Sequence, residues 1–528
     1  MSPQQSEHAE HGSKSSRLSF QEYMQLVELP QPSQPYGNQH GAQQPKRYMS
    51  QRASWMPGID LPSPMREQMT FKGAAYGGHV YSQSGLAASK AFAEMREKLE
   101  KQGKGKQYKG KVFGIHTIHG YFSEAGLIDR PFVYEVTPVS TANLAFANFS
   151  VTARQPQQPT SSPSGDHYPL SDAVNSPMGP ICFTALVSFR PASSSQVVTQ
   201  EDPPQRRFAH ILDTRPPHKW DPAPLVDIDR VVAMLPPGKK RGAGTFPCVD
   251  MKKVDMEDYN RGRPLHERRE LILYRRILSP AEQEKKRKRE SERHRKKKGD
   301  KEDMEDPDAH ILTHAFEADR NGLLMAGNHV GFGSSLARAA TLSYSFVVHV
   351  SPEEAIMDTQ QPKERRPQED ELYQRQHQLE LQREQEERMR QQHEHEHEQR
   401  RRSSSASSYP PTLSLPFSPS AGPSRPSSRG PHDSHHSEQH DRIIIEQFKH
   451  EDDEKFDEKD QEDDEEAANR DEWWIQEATF PRVEANRCVV LSKIWSPQGK
   501  HVATEYQDGI IQSREGPDPR MAHRTSKL

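Results

Sequence analysis

The most apolar stretch of the chain carries two side chains that could do chemistry. Residues 315–350 read AFEADRNGLLMAGNHVGFGSSLARAATLSYSFVVHV, which predicts a short helix with Asp319 in its first turn and a strand that begins at Thr341. A carboxylate and a Thr in such an apolar segment are typical of a core element that carries chemistry. The alternative is an acid favoured by a helix dipole, followed by an ordinary buried strand. The segment alone leaves both interpretations open.

Histidines offer a second set of candidates. His116 and His119 lie three residues apart in HTIHGYF, so a regular strand would place them on opposite faces, and we expect core or surface histidines rather than a shared site. A low-complexity tract contains HEHEHE, whose spacing on a helix does not suit a metal site: His393, His395 and His397. The sequence therefore predicts no metal and no cofactor.

The cysteines and the missing motifs narrow the chemistry further. Cys182, Cys248 and Cys488 lie far apart and form no CxxC pair. This pattern fits a reducing compartment and argues against a disulfide framework or a zinc site. The chain has no GxSxG motif, which counts against a serine hydrolase.

The elements that must position these side chains fall into two similar runs. In the first, Ala88, Phe92, Met95 and Leu99 recur at helical spacing before a stop at Gly103. Strand candidates follow: Val112–Phe122, Pro131–Val139, Leu144–Arg154 and Ile181–Phe189. A long helix followed by consecutive strands indicates an antiparallel sheet packed on a helix.

The second run has the same content and suggests an internal duplication. The segment with Asp319 supplies its helix. The strand from Thr341 and five further strand candidates supply its sheet: Phe246–Met256, Glu270–Leu278, Asp471–Thr479, Asn486–Trp495 and Lys500–Ile511. We therefore predict an α+β protein with two helix-plus-sheet units in one chain.

Composition limits how much of the 528 residues can fold. Hydrophobic residues make up 32%, charged residues 28%, there are 43 prolines, and the mean hydropathy is -1.00. Such values leave too little apolar surface to offset chain entropy everywhere. We expect a loose leader at 1–64, a first unit at 65–200 and a linker at 201–245. A second unit at 246–512, with disordered insertions at 281–308 and 358–470, and a tail at 513–528 complete the chain.

Six segments in fixed order resemble a known enzyme family. They read AYGGHVYSQSGLAASKA, HTIHGYFSEAG, FEADRNGLL, ATLSYSFVVHV, DEWWIQEATF and VATEYQDGII. Together they are similar to the type II acyl-CoA thioesterases, a double-hotdog family that includes peroxisomal members. The resemblance implies two hotdog units, each a long helix wrapped by an antiparallel sheet. It also implies hydrolysis of fatty acyl-CoA to free acid and coenzyme A without a cofactor.

The resemblance also implies which residues are catalytic. The family uses an Asp, a Thr and a Gln to hold and activate a water, and by motif these are Asp319, Thr341 and Gln507. The carboxylate would be the general base, while the hydroxyl and the amide would fix the water. Backbone N–H groups at the helix start would stabilise the oxyanion. Taken alone, Thr341 suits any strand and Gln507 could face solvent.

The chain departs from the family pattern at several positions. The usual GGQ before the first helix is Gly77-Gly78-His79, and the R-D-G-x-S-F turn is replaced by VSTANLAF. After Thr341, Ser343 and Tyr344 stand where an acid and a His are usual, while His349 is kept. These changes leave the three water-holding residues in place, but the resemblance does not define the acyl-chain preference or any contribution of the first unit to catalysis.

The two ends of the chain bear on location. The first 30 residues lack an apolar signal core, and no run of about 18 apolar residues occurs, so we expect a soluble chain without a transmembrane segment. The chain ends in Ser526-Lys527-Leu528. A C-terminal S-K-L is read by the peroxisomal import receptor. The sequence thus predicts the peroxisome matrix, with an acyl-CoA substrate and a possible homo-oligomer.

A basic run keeps a second class of function open. KKRKR and RHRKKK in residues 285–298 could be a nuclear import signal or a nucleic-acid patch on a non-catalytic, hotdog-core scaffold. Glu282, Glu284, Glu290 and Glu292 lie before and within the run, and it contains no aromatic residue for base stacking, so nucleic-acid binding is not the expected function. A solvated loop that attracts the coenzyme A phosphates is a further interpretation.

Overall fold

The computed structural model of the protein describes residues 17–30, 45–59, 73–103, 110–140, 146–162, 167–192, 197, 199–223, 245–293, 306–333, 336–357 and 472–513. These residues belong to one compact unit, whereas a second unit, Gln360–Glu462, lies outside the described residues. The predicted insertion 358–470, HEHEHE and the C-terminal tripeptide also lie outside them.

Strands form the larger part of the described fold. In chain order they are β1 Leu26–Glu28, β2 Lys46–Ser50, β3 Phe113–Phe122, β4 Val133–Ser140, β5 Ala147–Pro156, β6 Met178–Pro191, β7 Asp221–Pro222, β8 Val249–Lys253, β9 Glu270–Arg276, β10 Leu336–Val348, β11 Trp474–Glu484, β12 Arg487–Trp495 and β13 His501–Ser513. They make one 13-stranded sheet in the order β1-β2-β4-β5-β6-β3-β10-β13-β12-β11-β9-β8-β7.

Helices pack on this sheet and join its strands. They are α1 Phe20–Tyr23, α2 Gly77–Lys101, α3 Ser171–Val174, α4 Pro204–Arg207, α5 Ala209–Leu212, α6 Glu257–Asn260, α7 Pro280–Arg293, α8 Pro307–Ala318 and α9 Gly322–His329. Short 3-10 turns occur at Pro217–Lys219, Leu265–Glu267 and Pro352–Ala355.

The sheet consists of two halves that meet between β3 and β10. These two strands pair antiparallel, from Ser343 with Tyr121 to Val347 with Thr117. Helix α2 packs on the first half, α9 packs on the second, and α8 packs against α2. The chain is therefore an α+β double hotdog, as the sequence predicts.

The central helices pack closely because small residues face the partner helix. The Ser82 hydroxyl of α2 donates to the Leu312 carbonyl of α8 over 3.1 Å. A Cβ built on Gly85 would lie 2.4 Å from a Leu312 methyl, so only glycine permits this approach. The contact fixes α8 against α2 and therefore also fixes the position of the C-terminal end of α8.

The prediction of a loose leader at 1–64 is wrong for its described parts. Ser19 and Glu22 form a capping box on α1, and β2 pairs with β4. Phe20, Tyr23 and Trp55 are buried in the core that also holds α2. Helix and strand segments of three to five residues are too short to show a hydrophobic period, which is why the sequence missed them.

Two further boundary predictions need correction. Within the predicted linker, Phe208 and Trp220 are buried in a cluster with Trp473 and Trp495, so residues 204–222 belong to the fold. Within the predicted disordered insertion 281–308, α7 is helical and α8 already begins at Pro307. A Ser279–Glu282 capping pair and an ion pair between Lys286 and Glu472 hold α7 in place.

Candidate active site

Asp319 lies at the C-terminal end of α8, not in the first turn of a short helix as the sequence predicted. The helix begins at Pro307, with Asp306 as its N-cap, and Asp319 is its C-cap. Asp306 and Pro307 are a helix-start signal that places the helix one segment earlier in the sequence. The turn between α8 and α9 therefore presents the carboxylate.

Three side chains from other elements hold the end of α8. The Tyr76 hydroxyl donates to the Phe316 carbonyl over 2.5 Å, and the Tyr344 hydroxyl donates to the Ala315 carbonyl over 3.0 Å. The Gln476 amide donates to the Ala318 carbonyl over 3.1 Å. The last carbonyls of a helix have no partner within the helix, so these bonds satisfy them and fix the backbone that carries Asp319.

Thr341 and Gln507 reach Asp319 from neighbouring strands of the second half. Tyr344 on β10 pairs with Gln507 on β13, and Thr341 pairs with Gly509. The register shifts between Thr341 and Ser343. Such a bulge re-aims the side chain beside it, which brings the Thr341 hydroxyl under the α8–α9 turn.

The three predicted residues are in direct contact. Thr341 Oγ1 donates to Asp319 Oδ1 over 3.0 Å, and Gln507 Nε2 donates to the same oxygen over 2.6 Å. Gln507 Nε2 also lies 2.9 Å from Thr341 Oγ1. Asp319 is 9% exposed and Gln507 is fully buried. A carboxylate, a hydroxyl and a carboxamide distant in sequence thus form one compact cluster.

The first half of the molecule supplies a fourth contact. The backbone N–H of Gly78, in the first turn of α2, donates to Asp319 Oδ2 over 2.6 Å. A Cβ on the neighbouring Gly77 would lie 3.1 Å from the same oxygen and 3.3 Å from the Phe122 ring. The glycine pair therefore lets the helix start approach the carboxylate.

Burial and hydrogen bonding shift the pKa of Asp319 in opposite directions. Burial raises the pKa of this carboxyl to about 6, although the hydrogen bonds from Thr341, Gly78 and Gln507 and the charge of Arg320 oppose the rise. A base with a pKa near the operating pH is largely ionised and still a competent proton acceptor. The geometry and the pKa together fit a general base.

Several buried polar residues near this cluster were missed by the sequence. Glu317, Asn321, Gln476, Ser492 and Glu505 are all fully buried in the second half. On β13, Ala503, Glu505 and Gln507 point inward at alternate positions. The period of a strand would have placed Glu505 on the same face as Gln507.

Comparison with known proteins finds relatives only among solved structures. No protein-family model and no curated protein matches the chain. It is similar to acyl-CoA thioesterase II TesB2 from Mycobacterium marinum, with 13% identity and a TM-score of 0.40, over 94% of this chain and 98% of that chain.

Two further solved structures are similar at the same level. A tesB protein from Mycobacterium avium subs paratuberculosis has 12% identity and a TM-score of 0.35, over 88% of this chain and 92% of that chain. A conserved hot dog fold protein of unknown function from Alicyclobacillus acidocaldarius has 10% identity and a TM-score of 0.35, over 94% and 98%. The function of this chain has to come from the chemistry of its own residues.

On β3, His116 is partly buried and His119 is exposed, in keeping with the expectation of core or surface histidines. A register shift between Ile115 and Thr117 interrupts the alternation of β3. Burial is the main cause that lowers the pKa of the half-buried His116, and the charges of Arg190, His349 and His119 lower it further. His119 bonds to Ser345 over 3.0 Å on the outer side of the sheet, away from Asp319.

The remaining candidates give no second centre. Cys182, Cys248 and Cys488 are buried free thiols, and burial raises their pKa values. In the described part of the chain, no group of three or more His, Cys, Asp or Glu side chains is arranged to hold a metal ion. No helix among the described residues is long and apolar enough to cross a membrane.

Proposed function

We propose that the protein hydrolyses acyl-CoA thioesters to a free acid and coenzyme A. The observation that supports the proposal is the cluster in which Thr341 and Gln507 both donate to Asp319 Oδ1, at 3.0 and 2.6 Å. A thioester carbonyl is electrophilic enough to be attacked by a water that a positioned carboxylate deprotonates. No covalent nucleophile is needed for this route.

The cluster is shaped to hold one water. Asp319 Oδ1, Thr341 Oγ1 and Gln507 Nε2 lie within 3.0 Å of one another. A water beside this triangle would donate one proton to Asp319 Oδ1 and the other to the remaining lone pair of Thr341 Oγ1. Both N–H groups of the Gln507 amide are already bonded to these two oxygens and hold them in place. Such positioning lowers the entropy lost when the water attacks, which is a large part of catalysis by proximity.

The reaction balances with Asp319 as the only proton carrier. The water oxygen bonds to the thioester carbon while one of its protons passes to the Asp319 carboxylate. The tetrahedral intermediate then breaks its carbon–sulfur bond, and the coenzyme A thiolate takes the proton from Asp319. The carboxylate is regenerated, and Thr341 and Gln507 keep their hydrogen bonds throughout.

The proposal extends to fatty acyl-CoA and to the peroxisome. The C-terminal Ser526-Lys527-Leu528 is the tripeptide that the peroxisomal import receptor binds. The three buried free thiols are compatible with a reducing compartment. Peroxisomes break down fatty acyl-CoA, so the address and the proposed substrate agree.

A thiol-release assay tests the proposal. The full-length protein is incubated with saturated acyl-CoA substrates of increasing chain length, and released coenzyme A is measured with a thiol reagent. We expect turnover that depends on chain length and leaves a matched oxygen ester almost untouched, because an alkoxide is a far poorer leaving group than a thiolate. Coenzyme A release no faster than in buffer, at every chain length, would refute the proposal.

A further inference from the structure

The buried patch beneath the α8–α9 turn contains two carboxyl groups that the proposed reaction does not use. Glu317 lies on α8 and Glu505 lies on β13, and both are fully buried. Asn321, Gln476 and Ser492 complete the patch and are fully buried too. Glu505 is two residues from Gln507 on the inner face of the same strand. The patch therefore adjoins the proposed water site.

The N–H donors of the patch are already committed. Asn321 Nδ2 donates to Glu317 Oε1 over 3.3 Å and to Gln476 Oε1 over 3.4 Å. Gln476 Nε2 donates to the Ala318 carbonyl and to Ser492 Oγ, each over 3.1 Å. No cationic side chain is paired with Glu317 or Glu505 among the described residues.

The atoms left without a well-formed hydrogen bond in the patch are all acceptors. They are Glu317 Oε2, both carboxyl oxygens of Glu505, Asn321 Oδ1 and Gln507 Oε1. Burying five oxygens without donors is costly, and more so if the carboxyls are ionised. The Ser492 hydroxyl hydrogen-bonds to Glu505 but cannot serve all five oxygens. A proton on a carboxyl converts an acceptor into a further O–H donor.

Two other buried carboxylates of the described fold have the cationic partners that Glu317 and Glu505 lack. Glu477 pairs with Arg207 at 2.5 Å, and Glu270 pairs with Lys253 at 3.0 Å. Asp308 accepts from the Ile115 N–H at 2.7 Å and from the Ser89 hydroxyl at 2.5 Å. Burial nevertheless raises the pKa of Asp308 to about 7, so donors alone do not keep a buried carboxyl fully ionised in this fold. Among the described residues, Glu317 and Glu505 lack the cations that stabilise the charge of Glu477 and Glu270.

We propose that Glu505, together with Glu317, holds a proton at neutral pH and acts as a positioning residue that keeps the negative charge of this core on Asp319. This inference rests on the proposed function. The Glu505 proton supplies a donor to the patch, which includes Gln507 Oε1. The amide nitrogen of the same Gln507 side chain donates to Asp319. The proton also removes the negative charge that an ionised Glu505 would place near Asp319. Such a charge would destabilise an anionic transition state at the site.

Electrostatics around the patch agree with this assignment. Burial raises the pKa of Glu505 to about 8, and the charge of Asp319 raises it further, while Ser492 and Gln476 oppose the rise. Burial and the charge of Glu505 raise the pKa of Glu317 well above its usual range. The other titratable groups that face Glu505 are tyrosines, whose pKa values are raised well above 10 by burial: Tyr76, Tyr81 and Tyr344.

Infrared spectroscopy tests the proton without reference to activity. The carbonyl band of a protonated buried carboxyl is recorded at neutral pH for the wild type and for Glu505→Gln. We expect a band in the wild type that is missing from the variant and that disappears from the wild type as the pH rises through about 8. The assignment would be overturned if the wild type and Glu505→Gln had the same carbonyl band, or if the wild type had no band of a protonated carboxyl.

The pH profile of acyl-CoA hydrolysis tests the effect on the site. We expect kcat/KM to rise through about pH 6, as Asp319 ionises, and to fall roughly tenfold above about pH 8, as Glu505 loses its proton. Glu505→Gln should lose the alkaline fall and keep the acid limb. Asp308→Asn is the control, because Asp308 is a buried carboxyl on α8 bonded to Ser89 and Ile115 and should leave both limbs in place.

The two tests separate the two proposals. A wild type without thiol release, but with the Glu505 carbonyl band, would refute the proposed function and leave the buried proton standing. A wild type that hydrolyses acyl-CoA with the same alkaline fall in Glu505→Gln would keep the function and refute the role of Glu505.

Discussion

At the scale of single residues, the proposed site depends on a carboxylate that is buried and yet well bonded. Asp319 Oδ1 accepts two hydrogen bonds and Oδ2 accepts one from Gly78. Each such bond favours the ionised form, and burial favours the neutral form. Because burial prevails, the pKa of Asp319 lies at about 6, where the carboxylate is present at neutral pH and still basic.

Thr341 should matter through its hydroxyl alone. Thr341→Val keeps the β-branched shape that suits β10 and removes the bond to Asp319 Oδ1. We expect kcat for acyl-CoA hydrolysis to fall roughly 10- to 1,000-fold, the range seen when a positioned hydrogen-bonding group is removed from an active site. The thermal melting temperature should change little, because Thr341 is only partly buried.

Thr341→Ser is the matched variant. It restores the hydroxyl without the methyl group, so most of the activity should return. Equal losses in the valine and serine variants would show that Thr341 acts through packing and not through its hydrogen bond.

At the scale of elements, the site is built where α9 touches β13. A Cβ on Gly322, the first residue of α9, would lie 2.4 Å from Gln507 Oε1 and 3.1 Å from Val490. Real Cβ atoms do not approach this closely, so a larger residue must displace the Gln507 amide. Position 322 thus sets where Gln507 can lie.

Gly322→Ala should therefore reduce activity without unfolding the protein. We expect kcat/KM to fall at least about tenfold, because the Gln507 amide can no longer reach Asp319 and Thr341 together. Gly327→Ala is the control in the same helix, since its Cβ would meet only the flexible Leu336 side chain at 3.3 Å. Similar activity in both variants would show that the position of Gln507 is unimportant.

The two halves share a frame but not a site. β3 has a bulge after Ile115, as β10 has one after Thr341. Counted from these bulges, Ile115 corresponds to Thr341, and Val187, opposite Ile118, corresponds to Gln507, opposite Tyr344. Apolar side chains cannot hold a water, so the first half contributes to the proposed site through the Gly78 N–H.

Elements with a clear period were predictable, and close packing was not. The strand candidates predicted β3, β6 and β13 to within a few residues, and helical spacing predicted α2 with its end near Gly103. The start of α8 was missed although Asp306 and Pro307 signal it. The bulges, the Gly78 contact and the acceptor-rich patch depend on tertiary packing, which no local pattern encodes.

At the scale of the whole molecule, a single sheet spans both halves and brings distant segments to one place. Asp319, Thr341 and Gln507 are 188 residues apart at the extremes, and β10 pairs with β13 across the insertion that the structure leaves undescribed. The resemblance of six ordered segments predicted this convergence, whereas the residue types alone left Gln507 as an ordinary strand residue. The three contacts arise from sheet pairing rather than from proximity in sequence.

The C-terminal tripeptide should direct the whole protein. Deleting Ser526–Leu528 leaves β13, which ends at Ser513, and the proposed site unchanged. We expect the truncated protein to move from peroxisomes to the cytosol, with unchanged hydrolysis in vitro, when a fluorescent protein is fused to the N-terminus. Peroxisomal residence of the truncated protein would contradict the proposed address.

The most direct measurement is coenzyme A release by Asp319→Asn. The change keeps the shape of the side chain and removes the charge that accepts a proton from water. We expect kcat to fall by roughly 100- to 10,000-fold, the contribution typical of a general base, while the melting temperature stays close to that of the wild type. Asp308→Asn, on the same helix and away from the site, should keep full activity. A folded Asp319→Asn protein that releases coenzyme A at the wild-type rate would contradict the account.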